Sequence, residues 1–422
     1  MLRQNIQKTF LPNGITIITD KMLNVHSTAI GVWIPRGSRH ESKEENGLSH
    51  FYEHLVFKGT KKRTAFEIAS AIEDRGGLLE AYTTRQETGF YAQVIPSDTF
   101  LALEVISDML MHPLFSLEDF EKERKVIIEE IHSYADIAEE LAADLFYDTH
   151  YKNSGLALPI AGSVSSVKKL TLEKLLEYKK QVQSEIPLVI CAAGKLEHDS
   201  IVKKCQELFA EKVYCKTLPT NYTANASVKY KSKQDLSQSS LVFGTSFPFE
   251  KLTSEFKYAL SLFNVAFGSG MSSRIFQKVR EEYGLAYSVY STTDVYSDCF
   301  GFSVSLAAEH HKIKKAFHLI KEELRQFLEN GFRTGESKRA KKNILGSMEI
   351  GFDNPEKRLL RLAEHYLHFG KIDSMEEVKN QFRQITDKQV LDLLQETFFN
   401  APWSLALVHG KNEEKIPLDC KI

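Results

Sequence analysis

The chain has 422 residues, with 54 Lys and Arg against 56 Asp and Glu, for a formal net charge of −2. That length supports two or more domains, each with its own core, and the charge balance excludes the bulk basic excess expected of a nucleic-acid binder. No apolar run approaches the length of a membrane span, and the start Met1-Leu2-Arg3-Gln4-Asn5-Ile6-Gln7-Lys8 lacks the apolar core of a signal peptide.

In chain order, Ile6 to Leu11 and Ile15 to Thr19 flank Pro12-Asn13-Gly14, where Asn-Gly favours a tight turn, and predict a hairpin. Ser27 to Pro35 reads as another strand. Next comes the run from Gly47 to Thr60, which contains H-x-x-E-H as His50, Glu53 and His54. Glu44, Glu45 and Asn46 suit a helix start and Gly59 a helix stop. On a helix, positions i and i+4 share one face about 5–6 Å apart at Cβ. Two imidazoles so spaced can bind one zinc ion, with Glu53 beside the open coordination site as general base for a water. The pattern is that of inverzincins.

Ala65 to Asp74 is expected to be a helix ending at Gly76-Gly77, Leu79 through Ile95 to contain strands, and Thr99 to Met111 to form a helix. A mononuclear site needs a third protein ligand. The stretch Leu117 to Ile131 reads as a long helix whose apolar face, with Val126, Ile127, Ile128 and Ile131, enters the core. Glu123 and Glu130, seven apart, share a face, and Glu129 points about 100° away. A buried carboxylate there needs a partner, and a metal is a good one. Taken alone, Glu130 reads more readily as an ordinary exposed helix glutamate than as a ligand. Pro187 to Ala193 is short enough for one buried strand.

The segment 217–238 is polar, with Pro219, Asn221, Asn225 and several Ser, and reads as a linker between domains at 1–216 and 239–422. The second half repeats the plan of the first. Ser240 to Gly244 is a strand, Tyr258 to Phe267 a helix capped at Gly268-Ser269-Gly270, and Cys299 to Ser305 a strand leading into the helix Lys312 to Leu328. This weak internal symmetry predicts two related α+β domains. The five cysteines, at 191, 205, 215, 299 and 420, form no C-x-x-C pair and suit reduced thiols in a cytoplasmic protein.

With these residues in view, the chain resembles the pitrilysin family of zinc peptidases, which includes insulin-degrading enzyme and the mitochondrial processing peptidases. The resemblance rests on His50 to Thr60, Gly76-Gly77 with Ala81-Tyr82-Thr83-Thr84, Glu123-Arg124 through Ile131, and Gly270 to Phe276 continuing through Val279 to Ser288. It implies two related domains in a half-clamshell, each an antiparallel sheet covered by helices. It also implies one zinc per chain and a third ligand about 76 residues after the second histidine, which falls on Glu130. Glu123 would support the site from behind a ligand.

The same resemblance implies that Arg280 and Tyr287 contact the substrate backbone and stabilise the carbonyl oxygen as it becomes an oxyanion. Peptide substrate would add as a strand near Glu80 and Ala81. Two positions depart from the family pattern: Tyr52 replaces a leucine, and Glu80 replaces an asparagine, exchanging a donor for an acceptor. Larger relatives carry the zinc site and the Arg–Tyr pair in different halves of one long chain, so a two-fold homodimer is expected to combine them here. The expected activity is endopeptidase cleavage of peptides, with no nucleic-acid or membrane partner. The alternative is a non-catalytic structural or partner subunit of the same fold.

Overall fold

A computed structural model describes residues 5–210, 218–234, 236–411 and 416–421. Met1 to Gln4, Cys215, Thr217 and Asp235, which entered the expectations above, lie outside the described residues. The described chain divides into two compact units, the first formed by Met1–Ile131, Leu158–Thr220 and Glu349–Ser374, the second by His132–Ala157, Asn221–Met348 and Met375–Ile422.

The first unit is built on strands β1 (Ile6–Phe10), β2 (Thr16–Lys21), β3 (Thr28–Ile34), β4 (Leu78–Thr83), β5 (Thr88–Val94) and β6 (Val189–Gly194), in the order β1-β2-β6-β3-β5-β4. Side chains alternate across a strand, and in the buried strand β3 this alternation feeds two cores. Ile30, Val32 and Ile34 enter one, and Ala29 and Trp33 enter the other. Strand β6 does the same, with Ile190 and Ala192 on the first side and Val189, Cys191 and Ala193 on the second.

Helices α1 (Leu48–Val56), α2 (Ala65–Glu73), α3 (Thr99–Met111) and α4 (Leu117–Asp136) contribute Phe51, Ile68, Leu103 and Ile127 to the first of these cores. Helix α5 (Ala138–His150) packs elsewhere, as described below. Helices α6 (Val164–Lys169), α7 (Leu172–Ser184) and α8 (His198–Leu208) complete the layer with Val167, Tyr178 and Ile201.

The second unit carries β7 (Val228–Lys233), β8 (Ser239–Pro248), β9 (Ser288–Val295), β10 (Cys299–Ala308) and β11 (Ser404–Gly410), in the order β7-β11-β8-β10-β9. Matching β2, β6, β3, β5 and β4 to β7, β11, β8, β10 and β9 reproduces the same order, so the expected duplication is present in the topology. Each sheet is antiparallel apart from one parallel pair, β2 with β6 and β7 with β11. Helix α9 (Phe256–Phe267) follows β8 as α1 follows β3, and α10 (His310–Asn330) and α11 (Glu336–Phe352) succeed it. Helix α12 (Pro355–Phe369) precedes α13 (Met375–Gln384) and α14 (Asp387–Phe398), whose Phe382 and Phe398 meet the rings of Tyr258 and Phe263.

Three features differ from the expected organisation. The compact units are not the continuous halves 1–216 and 239–422, because two helices are exchanged between them. The apolar face of α5, with Ala142 and Phe146, covers Val242, Ala406 and Val408 of the second sheet. Leu359, Leu362 and Ala363 of α12 cover the Trp33 side of the first sheet, where Arg358 also reaches the fully buried Asp20 at 3.0 Å. The expected linker 217–238 contains β7, whose sequence Val-Lys-Tyr-Lys-Ser-Lys suits an exposed, lysine-guarded edge. In α4, Val126 is half exposed rather than in the core, since Ile127 occupies the inward phase.

Candidate metal centre and active site

Helix α1 begins at Leu48, later than the acidic residues suggested, after Gly47 at φ 99°. A Cβ on Gly47 would lie 2.7 Å from the Ala161 carbonyl oxygen, so both space and backbone conformation call for glycine. The first turn is capped from a distance. The buried Glu41 carboxylate accepts from the Gly47 and Ser49 amides at 2.8 and 2.7 Å and from the Asn46 side chain at 3.1 Å. Burial raises the Glu41 pKa, and these hydrogen bonds oppose the rise. One stripe of α1, Phe51, Tyr52, Leu55 and Val56, is buried in the core. Tyr52 packs on Tyr178 and Phe115, away from the histidines, so its departure from the family pattern is absorbed by the core.

The other stripe presents His50, Glu53 and His54, and α4 brings Glu130 to them. Glu130 lies with its two oxygens 3.8 Å from His50 Nε2 and 3.6 Å from His54 Nε2. The two imidazole rings are 4.6 Å apart, and one donor atom from each of the three residues falls within 4.8 Å of the others. Glu123, two turns before Glu130, accepts from His54 Nδ1 at 3.1 Å through one oxygen and meets Lys58 Nζ at 2.7 Å through the other. Glu53 accepts a 2.5 Å hydrogen bond from the Thr83 hydroxyl at the end of β4. Glu129 is exposed and takes no part.

This donor set fits a divalent cation. Burial, and the neighbouring His54, push the His50 pKa down to about 3, so its ring is neutral at ordinary pH. A carboxylate can only accept, so His54 donates from Nδ1 to Glu123 and turns Nε2 towards Glu130. Two imidazole Nε2 atoms turned towards one carboxylate, but beyond hydrogen-bond range of it, leave the spacing a shared cation would fill. Ligand pairs around tetrahedral zinc span about 3.3 Å, slightly less than the separations found here. Three carboxylates, Glu53, Glu123 and Glu130, against one ammonium, Lys58, leave two formal negative charges for such an ion to balance.

Glu53 is half-buried, and desolvation raises its pKa, while the Thr83 hydrogen bond lowers it. Strand β4, which carries Glu80 and Ala81, is the outermost strand of its sheet among the described residues. Glu80 is exposed on it and stands opposite Tyr91 of β5. Arg280 lies in a π-helical segment, Phe276–Glu282, of the second unit, where its guanidinium donates to the Tyr287 backbone oxygen at 2.5 Å and sits 5.8 Å over the Tyr287 ring. The Tyr287 side chain is exposed. The expected cap after α9 is present, and Gly268 also approaches Ser291 so closely that a Cβ would meet its Oγ at 2.3 Å.

Three residues that bear on the site were not singled out by the sequence: Glu41, Lys58 and Thr83. Lys58 carried a signal, since it follows His54 by four positions. Thr83 carried a weaker one, sharing the inward phase of β4 with Leu79 and Ala81, which pack against the core below α1. Among the described residues no helix is long and apolar enough to cross a membrane.

Residues 16–164 match the family described as Insulinase (Peptidase family M16), and residues 169–344 match the Peptidase M16 inactive domain. An uncharacterized zinc protease of Streptomyces coelicolor is 32% identical over 412 residues, covering 96% of this chain and 89% of the relative. One from Bacillus subtilis is 31% identical over 404 residues, covering 96% and 98%. A protease structure from Helicobacter pylori superposes with a TM-score of 0.89 at 17% identity, covering 96% of this chain and 99% of the other. A peptidase M16 inactive domain from Pseudomonas fluorescens gives 0.87 at 16% identity, covering 98% and 100%; these two matches speak for the fold alone. With relatives matched over nearly the whole chain, and the H-x-x-E-H helix inside the insulinase region, this protein belongs to peptidase family M16.

Proposed function

We propose that the chain is a zinc endopeptidase that hydrolyses internal bonds of peptides and unfolded segments. The observation that carries this reading is the convergence of His50 Nε2, His54 Nε2 and Glu130, with Glu53 on the same helical stripe. One zinc per chain, held by these three ligands, would supply Lewis acidity towards the peptide carbonyl and a water. Glu53 takes the proton of the attacking water and returns it to the leaving amine, a role suited to a carboxylate whose proton affinity burial has raised. Glu123 fixes the His54 tautomer through Nδ1.

The free edge of β4 is the surface on which an extended peptide can pair, so Glu80 and Ala81 would line the substrate backbone. Arg280 and Tyr287 would then donate to the carbonyl oxygen as charge develops. They belong to the second unit and the metal ligands to the first, and we assign the pair to the site of a partner copy in a homodimer. Among the described residues, Cys191, Cys205 and Cys420 are free thiols, which supports a reducing, cytoplasmic setting.

The test is metal content with turnover of a quenched peptide. The wild-type chain should hold one zinc and cleave, and Glu53→Gln should hold zinc without cleaving. A chain that takes up no zinc after reconstitution sinks the reading. A second reading, a non-catalytic partner subunit, draws on the match of residues 169–344 to a domain described as inactive; it predicts bound metal at most, and no peptide turnover by the wild type. Mixing Glu53→Gln with Tyr287→Phe chains tests the homodimer. Activity should reappear as subunits exchange, and verified exchange without recovery removes the shared-site arrangement.

A further inference from the structure

Lys58 has no role in the chemistry proposed above, yet its ammonium reaches the carboxylate behind a metal ligand. Its backbone lies just beyond the α1 C-cap, where its amide donates to the Leu55 carbonyl at 3.1 Å. The following residues are braced by isolated bridges, Gly59 to Thr64 and Thr60 to Pro113. The Thr60 hydroxyl is further tied to the buried Asp108 at 2.6 Å, which also receives Arg63 at 2.7 Å. Lys58 therefore leaves from a fixed point. Its ammonium takes one oxygen of Glu123 at 2.7 Å while His54 Nδ1 takes the other at 3.1 Å.

Glu123 is buried, with a side chain only 8% exposed, so either oxygen left without a partner would be costly. A carboxylate shared in this way cannot rotate without breaking one contact. We propose that Lys58 is a positioning residue of the metal centre, locking Glu123 so that His54 keeps its proton on Nδ1 and offers Nε2 to the metal. This rests on the zinc reading for its purpose, but the geometry concerns this chain's own atoms. The competing view is an ordinary ion pair at the edge of the site, which leaves the histidine tautomer and the zinc affinity unchanged.

The experiment uses the full-length metal-free chain, labelled with ¹⁵N-histidine, and then the same chain titrated with zinc against a chromophoric chelator. In the wild type, His54 should show a protonated Nδ1 and an unprotonated Nε2. Lys58→Met should mix the two tautomers and weaken zinc binding by about 10- to 100-fold, the range for loss of an outer partner of a ligand. Lys58→Arg should restore both readouts. In a Glu123→Gln background, Lys58→Met should add no further loss, because the lysine acts only through that carboxylate. A Lys58→Met chain with the wild-type tautomer and affinity overturns the proposal, as do losses that add in the double variant. If the wild type binds no zinc, the peptidase reading fails, and the metal-free tautomer comparison still decides the role of Lys58.

Discussion

Strand β3 leads into α1 and its counterpart β8 leads into α9, yet the two helices have opposite contents. Helix α9, Phe-Lys-Tyr-Ala-Leu-Ser-Leu-Phe-Asn-Val-Ala-Phe, has no histidine or acid and buries Tyr258, Leu262, Phe263 and Phe267. Helix α1 buries one stripe and turns His50, Glu53 and His54 to the other side. The same strand order closes without any histidine or acid on this helix, so the stripe of His50, Glu53 and His54 in the first unit is an addition to the fold rather than a part of it. The buried carboxylates make the same point. Glu336 of α11 is saturated, taking Arg274 Nε at 2.8 Å, Arg274 Nη2 at 2.5 Å and the Arg333 amide at 2.8 Å. The ion-pair partners of Glu130 of α4 among the described residues are two imidazole nitrogens beyond hydrogen-bond range. One carboxylate is satisfied and the other is poised for an ion.

The sharpest way to break this comparison is to remove the proton acceptor. Glu53→Gln should lower kcat for peptide cleavage by about 10²–10⁴-fold, the usual worth of a general base, while zinc content by atomic absorption stays at the wild-type level. Turnover near that of the wild type would return α1 to the same structural status as α9.

The two carboxylates should also separate by stability. Arg274→Met leaves Glu336 buried without its cation and should cost about 3–5 kcal/mol in denaturant unfolding. Glu130→Gln, measured on the metal-free chain, should cost less than about 1 kcal/mol, since neither imidazole nitrogen lies within hydrogen-bond range of Glu130. Equal costs would mean that Glu130 is structural, as Glu336 is.

The poised stripe was legible because helical period alone aligns His50 with His54 and Glu123 with Glu130. What escaped was set by contacts distant in sequence. Glu41 caps α1 from a 3-10 turn, Ser38–His40, that ends just before it. Thr83 meets Glu53 from 30 residues away. The amphipathic patterns of α5 and α12 say that a face is buried but not against which sheet, so their exchange could not be read. Strand β7 reads as a linker in the sequence because a lysine-rich edge strand has the composition of one.

The histidines give a comparison by pH. His50 in the first unit and His150 in the second are both held neutral by burial, with pKa values pushed to about 3 and about 4. In each case the folded value lies below the ordinary 6.5, so between these limits the unfolded chain binds the extra proton. Stability from each is complete above about pH 6.5 and falls as pH drops, on the order of 1.4 kcal/mol per pH unit for each group. His150 is satisfied internally, its Nε2 within 2.7 Å of Ser246 Oγ and its Nδ1 near the Asn225 carbonyl, whereas His50 Nδ1 is buried without a hydrogen-bond partner. Zinc should therefore steepen the acid-induced loss through its own ligands, His50 among them, and not through His150. His50→Gln should abolish that zinc dependence in pH-resolved thermal melts and His150→Gln should leave it, and the reverse pattern would contradict the assignment.

The smallest expected effect lies at the join between strand and base. Thr83 ends the β4 edge and donates to Glu53, and this hydrogen bond lowers a pKa that burial has raised. Removing the hydroxyl takes away only the lowering influence, so the Glu53 pKa should climb further. A general base works in its ionised form, and activity is lost as pH falls through its pKa. In Thr83→Val, which keeps the β-branched shape suited to the strand, the acid limb of kcat/KM should therefore move to higher pH. At alkaline pH, where Glu53 is ionised in both proteins, the loss should shrink to a few-fold or less, about 1 kcal/mol for one neutral donor. A rate reduced equally at every pH would mean that Thr83 shapes the strand and leaves the base untouched. A limb moved to lower pH would show that the hydroxyl does not donate to Glu53 in solution.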